Sequence, residues 1–323
     1  MEDRKQVLLI GGTGFIGYHI SKLLLEQGHV VTVISRNRNN KGIMHPNLHY
    51  HIADIDAITF QELKLLLAGI DVVIFAAGAD DRTLAKRSAY DFFYKKNVVP
   101  VKKLGEAMKV NGITKFIILG SYFSWLSRNK PEMKLEKQHP YIRSRAEQIR
   151  QGLSFADEKL RVIILELPYV FGVYPYKKSM WTALINYTNT VLPFLFYTNG
   201  GTAAVSVMQV AESVSICIQN SIPSGSYPVA DANLTWDEMI CKFRSGKKIR
   251  IIHLKKWLLL PFAKLLESSL RITNRESGLK LSSFLAIQCN TTFVFPENCL
   301  QGFVSNPNLL DTAIKGMTEI SKQ

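Results

Sequence analysis

Three glycines spaced three residues apart follow a short apolar run near the start of the chain. The run covers residues 7–10, the glycines are Gly11, Gly14 and Gly17, and apolar residues at helical spacing begin at Tyr18. A strand, a glycine turn and a helix in this order are typical of a dinucleotide site, because glycine lets backbone N–H groups approach a pyrophosphate. A close contact between a helix and a strand is the alternative. The predicted nucleotide contacts are Gly11, Thr13, Gly14, Phe15, Ile16 and Gly17.

The first half of the chain alternates short apolar runs with helical patterns. This alternation predicts an α/β fold of the Rossmann type, a doubly wound parallel sheet with helices on both faces. The predicted strands cover residues 7–10, 30–35, 48–53, 71–76, 115–119 and 161–167. The predicted helices cover residues 60–67, 90–110 and 141–153; only Pro100 interrupts the second, and a loop precedes the third. Ligands are then expected where the carboxyl ends of the strands meet.

The regular alternation fades after Gly172. We assign residues 1–172 to a dinucleotide-binding domain, to which residues 203–230 return with a helix at 210–219 and a strand at 227–229. Residues 173–202 and 231–323 then form a smaller, mostly helical substrate-binding cap, because specificity commonly lies in such irregular segments.

The chain of 323 residues carries a formal net charge of +14, from 40 Lys and Arg against 26 Asp and Glu. Such a charge favours anionic cofactors, a lipid surface or nucleic acid; because the basic residues are scattered, we expect a solvated surface and no nucleic acid partner. The charged first residues do not resemble a secretory signal, and no apolar run reaches the ~20 residues that span a bilayer. Four cysteines and seven histidines without ligand spacing predict a cytoplasmic protein with reduced thiols and no metal site.

Residues 257–272 are rich in apolar side chains and have three lysines alongside. We expect a buried helix of the cap that the chain enters through Pro261, because short apolar helices most often belong to a core. A peripheral helix at a membrane surface is the alternative.

The end of the second predicted strand indicates the type of cofactor. It carries Arg36 and Arg38, where NAD sites commonly have a carboxylate that binds the ribose. Planar guanidinium groups with a permanent charge suit the 2′-phosphate of NADP, so we predict NADP as the preferred cofactor and NAD as the alternative.

Two further predicted strands end in residues that suit a cofactor. Asp54, after the third strand, is placed either at the adenine amine or in a turn. The small residues Ala76, Ala77 and Gly78, after the fourth strand, let the backbone approach a cofactor closely.

The order and spacing of these motifs resemble the extended short-chain dehydrogenase/reductases, the NAD(P)-dependent epimerase/dehydratase family. The resemblance covers residues 5–230 and adds several motifs to those above: Asn97-Val98, the run from Phe116 to Ser121, the helix start at Tyr141, and Pro168-Tyr169-Val170-Phe171-Gly172. It implies further cofactor contacts at Ile55, Asn97, Pro168 and Val170. It also implies a homodimer formed through the helices 90–110 and 141–153.

The same resemblance implies a catalytic set of a serine, a tyrosine and a cation four residues after the tyrosine. Ser121 would orient the substrate and Tyr141 would transfer a proton. A tyrosine of pKa near ~10 needs a nearby cation to act as a base, and positions four apart share one helix face. Here the cation is Arg145 rather than the lysine of the family. Arginine can lower the pKa of the tyrosine but cannot readily pass on a proton.

The segments that follow the fourth and fifth strands and Gly172 predict a substrate site at Arg82, Tyr122, Phe123 and Tyr174. A nucleotide sugar and a hydrophobic keto or hydroxy compound both suit these residues, and an aromatic interface between cap and core is the alternative. We therefore predict an NAD(P)-dependent oxidoreductase or epimerase that acts on a hydroxyl or carbonyl of a small molecule. The second hypothesis, motivated by Arg145 and the basic charge, is a non-catalytic NAD(P) sensor or a module that binds RNA or another partner.

Overall fold

The structure is a computed structural model that describes residues 4–36 and 43–321. Arg36 belongs to the described residues, whereas the predicted phosphate contact at Arg38 lies outside them.

The first half of the chain forms the elements up to the end of the sixth strand of the main sheet. They are β1 (Gln6–Ile10), α1 (Phe15–Glu26), β2 (Val30–Ser35), β3 (Leu48–Ile52), α2 (Phe60–Leu66), β4 (Val72–Phe75), β5 (Leu84–Lys86), α3 (Ala89–Asn97), α4 (Val99–Asn111), β6 (Lys115–Ser121), α5 (Tyr122–Asn129), α6 (Leu135–Gln138), α7 (Pro140–Leu153) and β7 (Arg161–Leu167).

The second half forms shorter strands between helices of varied length. The elements are β8 (Tyr169–Phe171), α8 (Thr182–Thr188), β9 (Phe194–Tyr197), β10 (Gly201–Ser206), α9 (Val207–Gln219), β11 (Gly225–Pro228), β12 (Ala232–Thr235), α10 (Trp236–Phe243), β13 (Arg250–His253), α11 (Lys256–Ile272), β14 (Arg275–Ser277), α12 (Leu281–Gln288), β15 (Thr291–Thr292) and α13 (Pro307–Ser321).

Seven parallel strands form the main sheet in the order β11-β7-β6-β4-β1-β2-β3. The predicted α/β fold of the Rossmann type is therefore confirmed. The direction of winding reverses between β1 and β4, which opens a crevice at the carboxyl ends of these two strands. The glycine turn follows β1 and lies at this crevice.

Both faces of the main sheet are buried, which explains why its strands are runs of apolar residues. All four residues of β4, Val-Val-Ile-Phe, are buried. One core contains Leu24 of α1 and Val210 of α9, and the other contains Leu63 of α2, Leu104 of α4 and Ile149 of α7. Two layers of helices thus fix the sheet and the edge where its strands end.

The predicted single helix over residues 90–110 is wrong, because the chain forms the two helices α3 and α4. The interruption lies at Val98, and Pro100 is the second residue of α4. Proline is well tolerated in the first turn of a helix, where its missing N–H has no intrahelical acceptor. Pro100 therefore belongs to the start of a helix and does not break one.

The predicted loop between residues 119 and 141 is also wrong in part. The strand β6 continues to Ser121, and α5 begins at the next residue. The backbone N–H of Phe123 donates a hydrogen bond to Ser121 Oγ at 3.4 Å, so the serine caps this helix.

Beside the main sheet, the described residues form three small sheets, most of whose strands come from the second half of the chain. One sheet has the order β12-β10-β15, with β8 also paired to β10; the others pair β9 with β13 and β5 with β14. Because β5 precedes the cap by many residues, the pairing of Ala85 with Glu276 ties the cap back to the loop after β4.

The helix α11 does not lie in a core. None of its residues is buried, and Pro261 lies inside it instead of at its entrance. The expectation of a buried cap helix is therefore wrong: its apolar side chains extend around the helix, so that one face packs on the protein while others remain outside. Within the described residues, no helix has the length and apolar character needed to cross a membrane.

Candidate active site

The glycine turn has no room for side chains at two of its positions. Gly11 has a φ of +92°, and a Cβ there would lie 2.8 Å from the carbonyl oxygen of Ala76. A Cβ on Gly17 would lie 2.2 Å from the carbonyl oxygen of Gly11. These two contacts bring the start of α1 against the ends of β1 and β4.

The middle glycine of the turn, Gly14, leaves space in front of α1. Gly14 is the N-cap of α1, with an ordinary extended backbone, and its Cβ would meet only the oxygen of Gly11, at 3.3 Å. Within the described residues, no side chain caps this helix and its first turn holds no acidic residue. The start of α1 therefore presents backbone N–H groups without a competing carboxylate, which fits the pyrophosphate of a dinucleotide.

The other predicted cofactor residues of the first half lie around the same edge of the sheet. Arg36 follows β2 and is exposed. Asp54 follows β3 and accepts a hydrogen bond from the backbone N–H of Asp56 at 3.1 Å, so it forms a turn, while Ile55 packs on the core. Ala76, Ala77 and Gly78 follow β4. Their contacts with a cofactor stay predictions.

Asn97 is fully buried and uses its side-chain amide to hold the loop after β4. Its Oδ1 accepts a hydrogen bond from the backbone N–H of Ala79 at 2.8 Å, and its Nδ2 donates to Ser144 Oγ at 3.3 Å. Pro168 precedes β8, and Val170 within β8 is buried against the core. The cofactor contacts predicted for these three residues are not tested by this geometry.

The structure brings Ser121, Tyr141 and Arg145 together. Ser121 ends β6, and the other two residues lie one turn apart on α7. Arg145 Nε donates a hydrogen bond to Tyr141 Oη at 3.1 Å, and the Ser121 side chain also interacts with Tyr141. Tyr141 is 5% exposed and Arg145 is 8% exposed, so the cluster is shielded from water.

The guanidinium of Arg145 is held in place by uncharged groups. Its Nη1 donates to Gln148 Oε1 at 2.9 Å and to the carbonyl oxygen of Leu119 at 3.5 Å. Gln148 Nε2 in turn donates to the carbonyl oxygen of Asn97 at 2.7 Å. The sequence reasoning missed Gln148, although a polar residue three positions after Arg145 on one helix face is a signal for such a contact.

Burial and charge act in opposite directions on Tyr141. Burial raises the pKa of its phenol, while the positive charge and the hydrogen bond of Arg145 lower it. The net pKa is raised, so the phenol is protonated at neutral pH and is ready to donate a proton.

Asp81, which directly precedes the predicted substrate residue Arg82, is a second acidic group that acts on this cluster. Burial raises the pKa of Asp81, the neighbouring Asp80 raises it further, and Arg82 and Arg145 lower it. Asp81 in turn raises the pKa of Tyr141. The loop after β4 therefore contributes a carboxyl group to the electrostatics of the tyrosine.

A cavity of about 420 Å³ adjoins the glycine turn. Its walls come from the turn itself, from Arg82 and from the segment after β8: Thr13, Gly14, Phe15, Arg82, Gly172, Tyr174, Tyr176, Lys177, Lys178, Ser179, Met180 and Trp181. Tyr174 Oη donates a hydrogen bond to the carbonyl oxygen of Thr13 at 2.8 Å. The structure thus brings two predicted substrate residues, Arg82 and Tyr174, next to the predicted nucleotide site.

The other two predicted substrate residues are buried between core and cap. Tyr122 is 1% exposed, and its hydroxyl is hydrogen-bonded to Thr202 at 2.9 Å and to Thr292 at 3.2 Å. Phe123 is 3% exposed, with its ring 6.5 Å from the ring of Tyr141. These contacts favour the interface alternative for both residues, and a substrate role for them stays a prediction.

No cluster of His, Cys, Asp or Glu able to hold a metal ion occurs in residues 4–36 and 43–321. All four cysteines are free thiols.

A family profile described as the NAD dependent epimerase/dehydratase family matches residues 7–219 of the chain. The match runs from β1 to the end of α9. It includes both the glycine turn and the cluster of Ser121, Tyr141 and Arg145.

Two curated relatives resemble parts of the chain. The mouse (Mus musculus) sterol-4-alpha-carboxylate 3-dehydrogenase, decarboxylating, is 29% identical over 117 residues, which are 36% of this chain and 30% of that protein. The UDP-glucose 4-epimerase GEPI42 of Cyamopsis tetragonoloba is 25% identical over 186 residues, which are 51% of each chain. This chain therefore aligns with 30% and 51% of the length of these two relatives.

Solved structures resemble nearly the whole fold. A UDP-glucuronic acid 4-epimerase from Bacillus cereus, in complex with UDP-glucuronic acid and NAD, superposes with a TM-score of 0.68 at 14% identity. The superposition covers 98% of this chain and 99% of that one. The likeness extends through the cap as well as the sheet.

Proposed function

This chain belongs to the NAD dependent epimerase/dehydratase family, and from that premise we propose that it oxidises or reduces a hydroxyl-bearing carbon of a small molecule. The observation that carries the proposal is the hydrogen bond from Arg145 Nε to Tyr141 Oη, 3.1 Å long, beside Ser121 at the end of β6. A tyrosine between a cation and a serine hydroxyl is suited to transfer a proton to or from a substrate oxygen.

The glycine turn would hold the dinucleotide by its pyrophosphate at the start of α1. Arg36, exposed at the end of β2, would contact the 2′-phosphate and favour NADP over NAD. The Bacillus cereus structure holds NAD, so NAD is the alternative cofactor. When bound, the nicotinamide supplies the acceptor or donor of a hydride.

Tyr141 and Ser121 would handle the proton. In the reducing direction the protonated phenol of Tyr141 donates its proton to the carbonyl oxygen, and the phenolate that remains is stabilised by the hydrogen bond from Arg145. In the oxidising direction the phenolate takes the hydroxyl proton back. Ser121 would hold the substrate oxygen within reach of Tyr141.

Arg145 favours a reaction in which the proton returns to the substrate. Its guanidinium stays protonated, so it cannot pass the proton of Tyr141 on to water. An epimerase needs no such exit, because the proton and hydride taken in the first half of its cycle are given back to the same molecule in the second half. This argument supports the epimerase alternative, whose first half requires Tyr141 in the phenolate form that Arg145 stabilises, and the relative named UDP-glucose 4-epimerase agrees with it.

The apolar surroundings of Tyr141 support the other substrate class. The ring of Phe93 lies 5.4 Å from that of Tyr141, and the ring of Phe123 lies 6.5 Å from it. A hydrophobic keto or hydroxy compound would suit these rings, as the relative named as a sterol dehydrogenase suggests. A homodimer formed through α3, α4 and α7 stays part of the proposal, and analytical ultracentrifugation tests it.

The proposal is tested by turnover of two substrate panels, UDP-sugars and hydrophobic hydroxy or keto compounds, each with NAD and NADP. Tyr141→Phe should lower kcat by about 10²-fold or more, since it removes the group that transfers the proton, and it should leave dinucleotide binding unchanged. The matched control is Tyr227→Phe on the edge strand β11, where the hydroxyl donates only to the carbonyl oxygen of Pro223. Full turnover in Tyr141→Phe would refute the proposed role.

A further inference from the structure

The helix α11 presents a stripe of exposed apolar side chains to the outside, interrupted by Ser269. Leu258, Phe262, Leu265 and Ile272 lie on one face, because they are four, three and seven residues apart. Their exposed fractions are 41, 72, 71 and 86%, and Trp257 beside them is 67% exposed. A patch of neighbouring exposed apolar side chains typically marks a surface that binds a partner or a membrane.

The opposite face of α11 fixes the helix on the protein. Glu267 Oε1 accepts a hydrogen bond from the backbone N–H of Ser282 at 2.7 Å, at the start of α12. Ala263 and Leu270 lie on the same side as Glu267 and are half-buried. These contacts hold the stripe in one orientation. The helix therefore does not have to fold or unfold to expose it.

One flank of the stripe is basic and continues into a cavity. Lys264 and Arg271 are seven residues apart, so they lie on the same side of α11. Arg271 also lines a cavity of about 1050 Å³ between α7, β14 and α11. The basic residues of its wall are Arg87, Lys134, Lys137, Arg143, Arg271, Arg275 and Lys280.

The three acidic residues of this wall are engaged with other partners. Glu136 pairs with Arg150 at 3.2 Å, Glu267 binds the start of α12 as described, and Glu276 Oε2 accepts a hydrogen bond from the backbone N–H of Ala89 at 2.8 Å. Among the described residues, none of the seven basic side chains forms an ion pair. The wall thus holds seven basic residues against three acidic ones, so its net charge is positive.

We propose that α11 docks this protein on a membrane that contains anionic phospholipids. The apolar stripe enters the boundary between headgroups and acyl chains, and the basic wall binds phosphate headgroups beside it. The formal net charge of +14 adds a long-range attraction to such a surface. A second copy of the chain is a poorer occupant, because an antiparallel two-fold contact through the stripe would place the basic flanks of both copies on the same side of the interface.

The docking does not depend on Tyr141 or on a dinucleotide, so it can be tested without a substrate. The full chain is sedimented with vesicles of phosphatidylcholine alone and of phosphatidylcholine mixed with phosphatidylserine. We expect binding to the mixed vesicles, weakened by salt because exposed charges are screened. Leu265→Ser should weaken it about tenfold, since one inserted leucine is lost.

The chain offers a matched control for this substitution. Leu65 on α2 is 68% exposed, against 71% for Leu265, so Leu65→Ser makes the same change on another exposed helix face and should leave vesicle binding unchanged. The double variant Lys264→Glu with Arg271→Glu should weaken binding more than about 20-fold. Trp257 should show a fluorescence shift on binding, and this shift should vanish in Trp257→Phe.

Three results would overturn the proposal. The first is that the wild-type protein fails to bind the mixed vesicles. The second is that Leu265→Ser and Leu65→Ser lose vesicle binding equally. The third is that Leu265→Ser changes the mass of the protein in sedimentation without vesicles, which would assign the stripe to contact between copies.

Discussion

A buried histidine at the start of α7 makes the stability of this fold depend on pH. His139 is fully buried, and its Nδ1 accepts a hydrogen bond from the backbone N–H of Lys280 at 3.0 Å. Tyr141, two residues on, donates its backbone N–H to the carbonyl oxygen of Gly278 at 2.9 Å. His139 therefore joins the helix that carries the tyrosine to the cap segment that crosses it.

The magnitude follows from the shift of this histidine. Burial, and to a smaller extent the charge of Lys280, lower the pKa of His139 from 6.5 to about 4. Between these two pH values the unfolded chain binds the proton and the folded chain does not. The contribution of His139 to the free energy of unfolding is therefore fully present well above pH 6.5, and it is lost as the pH falls towards 4. The whole shift corresponds to about 3 kcal/mol, and the loss between roughly pH 7.5 and 5.5 is about 1.3 kcal/mol.

The assay is urea unfolding at these two pH values for the wild type and for His139→Asn. The asparagine Oδ1 can accept the same hydrogen bond from Lys280 without titrating. All other titrating groups are common to both proteins, so the difference between the two pH effects isolates His139. We expect the wild type to lose about 1.3 kcal/mol more than the variant. Equal losses would refute the assignment of a neutral, buried imidazole.

Two further substitutions test separate parts of the structure. Arg36→Ala should weaken NADP about 10- to 150-fold, the equivalent of one charged hydrogen bond, and NAD much less; calorimetry that finds equal weakening would exclude Arg36 as the phosphate contact. Arg128→Ala leaves the fully buried Glu166 with only the Ser226 hydroxyl as a side-chain partner among the described residues. The substitution should lower the free energy of unfolding by about 1–3 kcal/mol. This loss is smaller than for a fully buried ion pair because Arg128 is partly exposed. Urea unfolding that shows no loss of stability would contradict this prediction.

The main sheet could be predicted from the sequence because its strands are short, buried on both faces and separated by amphipathic helices. The strands at residues 30–35 and 161–167 end where predicted, since apolar runs with β-branched residues mark them clearly. The cap could not be predicted in this way. Its strands are as short as the two threonines of β15, and their pairing joins residues far apart in the chain, such as Thr202 with Thr292.

Two features could not be predicted from the sequence: that α11 is exposed, and that Asp81 acts on Tyr141. Both have a physical reason. Apolar residues surround α11 on most sides, so their spacing does not tell which face packs on the protein. The influence of Asp81 on Tyr141 depends on the path of the loop after β4, which a sequence pattern does not encode. Tyr141 and Arg145, by contrast, could be placed together because a spacing of four puts two side chains on one helix face.

The most direct test of the account is calorimetric titration of NAD and NADP into the protein, freed of co-purified nucleotide, and into Gly14→Val. The extended backbone of Gly14 is compatible with an L side chain, whose Cβ would lie a tight 3.3 Å from the Gly11 carbonyl oxygen and would project in front of α1, where the pyrophosphate is proposed to bind. We predict saturable binding of a dinucleotide by the wild type, and binding at least about tenfold weaker in Gly14→Val, with urea unfolding measured beside it to verify that the variant is folded. Absence of binding by the wild type, or equal binding by both proteins, would contradict the proposed dinucleotide site.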